Sequence, residues 1–231
     1  MHAFYLPDLN QESIEYTLTG TEFNHFKVLR IGENEKILLL NGCGLQAVSK
    51  IKNMVNKSVE LEILSYNFKE KTKYQTDLAF GIIKDRARLE FLVEKVSELG
   101  INNIIPLITQ YSQKKSVNTD KLQSKIISAF KQSNSFWISL LAEAINFNKI
   151  NKLAKNYDII YFADKSGDDF VQKNNNSKKI LLLVGSEGGF SASEIKIIKE
   201  LPNTKSIRLS GNILRTETAC ISIVSKVMEN D

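Results

Sequence analysis

The chain has 231 residues and a mass of 26.2 kDa, a length that allows one large domain or two small ones. Hydrophobic residues make up 42% and charged residues 25%, which argues against a disordered or fibrous protein. The net charge of +5 and the pI near 9.0 are a mild bias towards polyanionic partners, and alone they decide nothing.

Membrane and secreted classes are also disfavoured. No apolar run reaches the roughly 18–20 residues that a membrane-spanning helix needs, and Met1–Pro7 lacks the features of a signal peptide. Cys43 and Cys220 are too few for a disulfide scaffold, so we expect a reduced, cytoplasmic protein. His2 and His25 have no neighbour at ligand spacing, so no metal site is predicted and both are interpreted as packing residues.

The first seventy residues have the pattern of an all-β domain with one short helix. Strands are predicted at 35–40, 45–51 and 58–64, and Asn41–Gly44 forms the turn of a hairpin between the first two. Short strands joined by tight turns predict a small β-barrel. The polar segment 69–73 is interpreted as a linker, which predicts a first domain over residues 1–70 and a second over 74–231.

From Thr76 onwards the pattern changes to alternating strands and helices. Apolar runs predict buried strands at 78–83, 104–108, 159–162 and 180–184. Between them, one helix ends at Gly100 and another carries an apolar stripe through Leu122 and Phe130. This alternation predicts an α/β domain with a parallel sheet. Asn174–Asn176 is interpreted as a polar surface loop.

A glycine-rich loop at 185–189 lies between a buried strand and a helix. Ser191 and Glu194 have the spacing of a capping box at the start of that helix. Glycines let the backbone approach a ligand, and this loop follows the carboxyl end of a strand, where open α/β folds bind ligands. The loop lacks the dinucleotide and P-loop fingerprints, which argues against a nicotinamide enzyme and a nucleotide hydrolase. A purely structural turn is the alternative.

A second candidate loop, at 210–219, lies between a strand at 206–209 and the final helix. Arg215 and Glu217 are at the entrance of this helix, and Thr216 or Thr218 can cap it. The alternative is a capped helix flanked by surface charges, in which Glu217 only complements the helix dipole.

Basic residues between a strand and its helix are candidate phosphate contacts. Such contacts position a nucleic acid without reading its sequence, and a solvated basic patch is the alternative. Lys95 and Glu98 are expected to pair across one helical turn. The candidate phosphate contacts are Lys84, Arg86, Arg88, Lys114 and Lys115.

These motifs, in this order, resemble the RsmE family, the 16S ribosomal RNA uracil-N3 methyltransferases of the SPOUT class. The resemblance covers nearly the whole chain, and its most specific part is Leu214–Ala219. Ser186 and Ser139 stand where the family commonly has proline, Ser210 where it has glycine, and Ser135 where it has a basic residue. The matching segments are 25–30, 84–86 with Glu90, 94–100, 106–107, 131–133, 185–190 and 214–219.

The resemblance implies a PUA-like N-terminal barrel that binds RNA, followed by a SPOUT α/β domain with a C-terminal trefoil knot. It also implies a homodimer that uses S-adenosylmethionine to methylate N3 of one uridine of the small ribosomal subunit (uridine 1498 in standard ribosomal RNA numbering). Arg30 joins the predicted RNA contacts because it lies in a matching segment.

By the same resemblance, segments 162–164, 185–189 and 209–214 meet at the sheet edge, and their backbone groups hold the cofactor. The residues predicted to bind it are Phe162, Ala163, Val184, Gly185, Glu187, Gly188, Gly189, Leu209, Ser210, Gly211, Asn212, Ile213, Leu214 and Thr218.

Methyl transfer to uracil N3 requires loss of the N3 proton, so a base and a nearby cation would both help. Our hypothesis gives Arg215 the role of stabilising the uracil anion or its phosphate. Glu217 is the candidate general base, with a structural role as the alternative.

Two other functions stay open. One is a SPOUT RNA methyltransferase with a different target nucleotide, which nucleoside mass spectrometry of the product RNA would distinguish. The other is a non-catalytic ribosome-assembly protein that binds RNA, which calorimetry showing no binding of S-adenosylmethionine would favour.

Overall fold

The computed structural model describes residues 1–29, 31–32, 35–55, 57–169 and 178–228. Arg30 and the predicted Asn174–Asn176 loop lie outside these ranges. The chain divides into two compact units, one formed by Met1–Lys71 with Phe130–Ile138 and the other by Thr72–Ala129 with Ser139–Asp231. Among the described residues, no helix has both the length and the apolar character needed to cross a membrane.

The first unit is built on a five-stranded sheet with one helix beside it. In strand order the sheet is β1-β3-β4-β5-β2, in which β1 and β3 are parallel and the other pairs antiparallel. Alternating side chains of these strands and two phenylalanines of the helix form its core. The elements are β1 (His2–Tyr5), β2 (Glu15–Leu18), α1 (Gly20–Leu29), β3 (Lys36–Leu40), β4 (Leu45–Val55) and β5 (Ser58–Phe68).

The predicted hairpin between β3 and β4 is confirmed. The Asn41 side chain accepts hydrogen bonds from the backbone N–H groups of Cys43 (2.7 Å) and Leu45 (3.0 Å), which fixes the turn. His25 of α1 packs its ring on Phe4, with 5.3 Å between the ring centroids, and its Nδ1 lies 3.3 Å from Nζ of Lys131.

Segment 130–138 belongs to the first unit although it comes much later in the chain. Phe130 packs against Leu38 and Leu40 in a small core cluster. The Gly44 N–H donates to the Phe136 carbonyl at 2.9 Å. Nothing in the sequence pattern indicates this addition, and the boundaries 1–70 and 74–231 stay predictions.

The second unit contains a seven-stranded parallel sheet in the order β12-β10-β11-β6-β7-β8, with β9 also paired to β7. All its strand pairs are parallel, so the predicted α/β class is confirmed. The elements are β6 (Gln75–Gly81), α2 (Arg86–Glu98), β7 (Asn103–Ile108), α3 (Thr119–Ser133), β8 (Leu140–Leu141), β9 (Ile145–Asn146), a 3₁₀ turn (Phe147–Lys149), α4 (Ile150–Ala154), β10 (Ile159–Asp169), β11 (Lys179–Val184), α5 (Ala192–Glu200), β12 (Thr204–Arg208) and α6 (Thr216–Met228).

The predicted start of α5 and end of α2 are confirmed, whereas the predicted threonine cap of α6 is wrong. The Ser191–Glu194 capping box is present at the start of α5, and Gly100 follows the end of α2 with a φ of 87°. Asp85 caps α2 by accepting from the Arg88 N–H at 2.8 Å. The final helix begins at Thr216, so Thr216 and Thr218 both lie inside its first turn rather than before it.

The sheet order decides where ligand-binding segments can meet. Because β10 lies between β11 and β12, the carboxyl ends of all three strands are neighbours at one edge. Buried residues on one face of β10 and β11, such as Phe162, Leu181 and Leu183, pack in one core cluster. The glycine-rich loop and the segment before α6 therefore leave the same edge of the sheet, on either side of the end of β10.

Candidate active site

A cavity of about 710 Å³ opens in the second unit at this carboxyl edge. Three chain segments line it together with Arg88 of α2. They are 163–165 of β10, 184–189 at the end of β11, and a segment from the end of β12 into α6. Its size is in the range of small-molecule sites, about 300–1,000 Å³. The lining residues are Arg88, Ala163, Asp164, Lys165, Val184, Gly185, Ser186, Glu187, Gly188, Gly189, Leu209, Ser210, Asn212, Ile213, Leu214, Arg215, Thr216 and Ala219.

Two glycines of the loop after β11 have different reasons to be glycine. A Cβ on Gly185 would lie 2.5 Å from the carbonyl carbon of Gly189, closer than real Cβ contacts. Gly189 has a φ of 74°, which favours glycine, and a Cβ there would meet nothing within 4 Å. The Gly189 N–H donates to the Ser186 carbonyl at 2.8 Å and closes the turn. The loop backbone is therefore closely packed at Gly185 and has free space beside Gly189.

Ser186 connects this loop to the neighbouring strands. A Cβ on Gly81, at the end of β6, would lie 2.3 Å from the Ser186 backbone nitrogen, so only glycine allows this approach. The hydroxyl of Ser186 accepts from Thr109 Oγ1 at 3.3 Å, and Ser186 is 4% exposed. A serine at this position is thus held by contacts on both sides.

Arg88 and two carboxylates form a charge cluster at the cavity wall. The guanidinium binds Glu217 in a bidentate manner, with Nε 2.8 Å from Oε1 and Nη2 2.7 Å from Oε2. Nη1 lies 3.4 Å from Oε1 of Glu187. The hydrogen bonds from Arg88 hold the pKa of Glu217 below its usual range, so this buried carboxylate, 7% exposed, is ionised.

The cluster joins three elements. Arg88 lies in the first turn of α2, Glu187 in the glycine-rich loop and Glu217 in the first turn of α6. The Glu187 carboxylate also accepts from the Lys84 N–H, 3.3 Å from each oxygen. The entrances of α2 and α6 and the glycine-rich loop are therefore fixed relative to one another by ionic hydrogen bonds.

Most residues predicted to hold the cofactor line the cavity. Phe162, Gly211 and Thr218 do not: Phe162 is 1% exposed in the hydrophobic core, and the other two are exposed outside the lining. Of the predicted catalytic pair, Arg215 lines the cavity and is exposed, whereas Glu217 is not among the lining residues.

Lys165, Thr216 and Ala219 line the cavity and were not predicted. Thr216 and Ala219 are three residues apart on α6 and so share a face, a spacing that could have indicated them once Thr216 was placed inside the helix. Lys165 directly follows the predicted 162–164 segment.

The residues predicted to contact RNA differ in exposure and in ion pairing. Lys84, Lys114 and Lys115 are exposed, and Arg86 is exposed with its Nε 2.6 Å from Glu90 Oε1. Arg88 is the exception, because its guanidinium is engaged by the two carboxylates.

Comparison with known proteins places the chain in a family. Residues 70–228 match the family described as RNA methyltransferase domain, and residues 18–64 match the RNA methyltransferase PUA domain. Over 98% of its length the chain is 31% identical to ribosomal RNA small subunit methyltransferase E of Rickettsia conorii, of which it covers 94%.

Solved structures show the same fold. The crystal structure of ribosomal RNA small subunit methyltransferase E from Neisseria gonorrhoeae, bound to S-adenosylmethionine, matches with a TM-score of 0.88 at 23% identity, covering 100% of this chain and 98% of the other. A protein of Legionella pneumophila, solved in complex with S-adenosylmethionine, matches with a TM-score of 0.83 at 26% identity, covering 99% of this chain and 96% of the other.

These matches define the class, RNA methyltransferases that carry a PUA domain. Within this class the chain belongs to the family of ribosomal RNA small subunit methyltransferase E, the RsmE family that its motifs resemble.

Proposed function

We propose that this protein transfers a methyl group from S-adenosylmethionine to N3 of one uridine of 16S ribosomal RNA in the small subunit. The observation that carries the proposal is the cavity at the carboxyl edge of the sheet, which the glycine-rich loop and the segment before α6 line together. Its family relatives are named as methyltransferases of the same RNA.

The residues present fit this cofactor. The open side of Gly189 leaves room for a ligand against the backbone. The cavity lining carries both acidic side chains (Asp164, Glu187) and basic ones (Lys165, Arg215), which suits a ligand that has a cationic sulfur and a carboxylate. When bound, S-adenosylmethionine supplies an electrophilic methyl group on a positively charged sulfur. The backbone groups of 163–165, 184–189 and 209–214 are proposed to bind the adenosine part, with little dependence on side-chain identity.

Arg215 is the proposed catalytic cation. It lies at the cavity beside the positive end of α6 and is exposed to an incoming RNA. There its guanidinium stabilises the negative charge that develops on the uracil ring when the N3 proton leaves to water.

Glu217 is proposed to position the entrance of α6 rather than to act as the base. Both of its oxygens accept from Arg88, and its lowered pKa makes it a weak proton acceptor at neutral pH. To act as a base, Glu217 would have to break its bidentate contact with Arg88. Much of the rate enhancement can come from aligning the methyl group with N3.

Lys84, Arg86, Lys114 and Lys115 are the proposed phosphate contacts, together with Arg30, which the resemblance adds. All the described members of this set are exposed. Arg88 is assigned instead to the ionic cluster, because a phosphate would compete there with two carboxylates.

Finer features of the architecture are part of the proposal. We assign residues 1–70 to a PUA-like barrel that the five-stranded sheet forms. We assign residues 74–231 to a SPOUT domain with a C-terminal trefoil knot. The return of β12 to pair with β10 rather than with β11 supports the knot. By family likeness, we place the protein in the cytoplasm as a homodimer.

The test is methylation of small ribosomal subunits that lack the modification, with isotope-labelled S-adenosylmethionine and nucleoside mass spectrometry of the product. We expect label on N3 of one uridine. In Arg215→Ala, kcat should fall about 100-fold or more, as expected for loss of a group that stabilises developing charge. Calorimetry should show that this variant still binds the cofactor.

Arg208→Ala is the matched control, because Arg208 is an exposed arginine that pairs with Asp169 and does not line the cavity. It should keep the wild-type rate. Label on another nucleotide would support the different-target alternative, and absence of cofactor binding would support a non-catalytic assembly protein. Wild-type rates in Arg215→Ala would refute its catalytic role.

A further inference from the structure

Tyr111 is an exposed aromatic residue just beyond the carboxyl end of β7. It is 47% exposed, much like Tyr74 and Phe91, so its exposure alone assigns it no role. Its hydroxyl has no hydrogen-bond partner among the described residues. Its position against the glycine-rich loop, and not its exposure, sets it apart from Tyr74 and Phe91.

The turn that carries Tyr111 is held by side-chain hydrogen bonds. The Thr109 N–H donates to Ser112 Oγ at 3.0 Å, and the Ser112 N–H donates back to the Thr109 carbonyl at 3.1 Å. The Gln110 N–H donates to Glu194 Oε1 at 2.8 Å, which ties the turn to the capping box of α5. The backbone on both sides of the ring is therefore fixed before any ligand arrives.

The Tyr111 side chain lies against the glycine-rich loop. A Cβ on Gly188 would be 2.9 Å from Cβ of Tyr111 and 3.2 Å from its Cγ, so any side chain at Gly188 would displace the ring. Gly188 also lines the cavity. The ring thus stands at the rim of the proposed cofactor site, held on one side and open to solvent on the other.

We propose that the Tyr111 ring is a stacking platform for a nucleobase of the RNA substrate, next to the nucleotide that is methylated. This inference rests on the proposed function and adds a binding subsite to it. Aromatic side chains stack on bases of unpaired RNA, and a ring that is already ordered loses little entropy on binding. The exposed Lys114 and Lys115, three and four residues further on, suit the phosphates of the same strand.

The test compares Tyr111→Phe, Tyr111→Leu and Tyr111→Ala. Phenylalanine keeps the ring face, leucine keeps apolar area without a π face, and alanine keeps neither. We expect the leucine and alanine variants to bind small-subunit RNA about tenfold more weakly in filter binding and to show the same rise in KM, while the phenylalanine variant stays close to wild type. The kcat at saturating RNA and the affinity for S-adenosylmethionine should stay within about twofold of wild type.

Tyr74→Ala is the matched control. Tyr74 is 46% exposed, almost the same as Tyr111, but it precedes β6 at the opposite, amino edge of the sheet. This variant should bind RNA like the wild type.

Unchanged RNA affinity in Tyr111→Ala, or equal RNA affinity of the leucine and phenylalanine variants, would overturn the proposal. A loss of cofactor affinity that parallels the loss of RNA affinity would also overturn it. So would sedimentation showing that the wild type is a dimer and Tyr111→Ala a monomer. This last result would show that a second copy of the chain covers the ring. If wild-type protein binds RNA but transfers no methyl group, the proposed function fails, and the filter-binding series still decides the role of the ring.

Discussion

At the scale of single residues, one arginine serves two carboxylates from different parts of the chain. Arg88 has five N–H donors in a planar group, which suits simultaneous contact with Glu217 and Glu187. Removal of this group would leave Glu217 ionised and nearly buried without a partner, and an unpaired buried charge is more costly than a lost surface pair.

We therefore expect Arg88→Ala to lower the free energy of unfolding by about 2 kcal/mol, measured by urea denaturation at pH 7. Arg88→Lys should be intermediate, because lysine keeps the charge but cannot make the bidentate contact. Adding Glu217→Ala to Arg88→Ala should restore part of the loss, since no unpaired carboxylate then remains.

The same pair predicts a pH dependence. Since the hydrogen bonds from Arg88 lower the pKa of Glu217 in the folded protein, the stabilisation is complete above the unfolded value, about 4.3, and is lost as the pH falls through the lower folded value. The difference between wild type and Arg88→Ala should thus be constant from about pH 7 to 5 and shrink below about pH 4.

Arg86→Ala is the matched control on the same helix. Its side chain is 60% exposed, and Glu90 is its one ionic partner in the part of the chain that the structure describes, so its loss should change stability by less than about 1 kcal/mol. Equal effects of the two substitutions would contradict the role given to Arg88.

At the scale of elements, the glycine-rich loop is shaped by close approach of backbone to backbone. Gly185 leaves no room for a Cβ because Gly189 and Phe190 lie against it, and Gly81 leaves none because Ser186 does. These contacts bring the loop onto the sheet and leave its other side open to the cavity.

Gly185→Ala should lower the free energy of unfolding by about 3 kcal/mol, the upper end of the cost of overpacking, because a backbone neighbour cannot move aside as a flexible side chain can. It should also abolish binding of S-adenosylmethionine in calorimetry, since the loop must shift to make room for the alanine side chain.

Gly211→Ala is the matched stability control, because a Cβ there meets nothing within 4 Å. Its unfolding free energy should stay within about 0.5 kcal/mol of wild type. A similar loss in both variants would indicate that glycine's flexibility, and not close approach, matters in these loops.

At the scale of the whole molecule, the first compact unit is discontinuous in sequence. Residues 130–138 contribute a buried ring, Phe130, and backbone hydrogen bonds to the turn before β4. Gln46 Nε2 of β4 also donates to the Asn134 carbonyl at 2.8 Å. The Trp137 Nε1–H donates to the Lys69 carbonyl at 3.1 Å.

Phe130→Ala should therefore destabilise the first unit, although the residue is far from it in sequence. The expected cost is about 3–5 kcal/mol for a buried phenylalanine, which is 2% exposed. Hydrogen exchange should become faster at the amides of Leu38 and Leu40, which pack against this ring.

Phe91→Ala provides the comparison, because Phe91 lies on α2 and is 48% exposed. It should cost less than about 1 kcal/mol and leave exchange at Leu38 and Leu40 unchanged. Faster exchange confined to the second unit in Phe130→Ala would contradict the assignment.

Much of the fold could be predicted because its signals are local. Continuous apolar runs indicated β6, β7, β10 and β11, and the capping pattern of Ser191 and Glu194 marked the start of α5. Each of these signals depends on residues within one or two turns, so periodicity and capping chemistry are sufficient to read them. The motifs around 185–190 and 214–219 also indicated the family.

The arrangement of the site depended on tertiary structure. Arg88 and Glu217 are 129 positions apart, and no spacing rule connects them. The sequence therefore predicted an RNA contact for Arg88 and a general base for Glu217, and not their ion pair. The same limit applies to Phe130, whose apolar position was predicted but whose packing partners were not. Which distant segments meet is decided by the sheet order, because the placement of β10 between β11 and β12 brings three loops to one edge and determines which charges become neighbours.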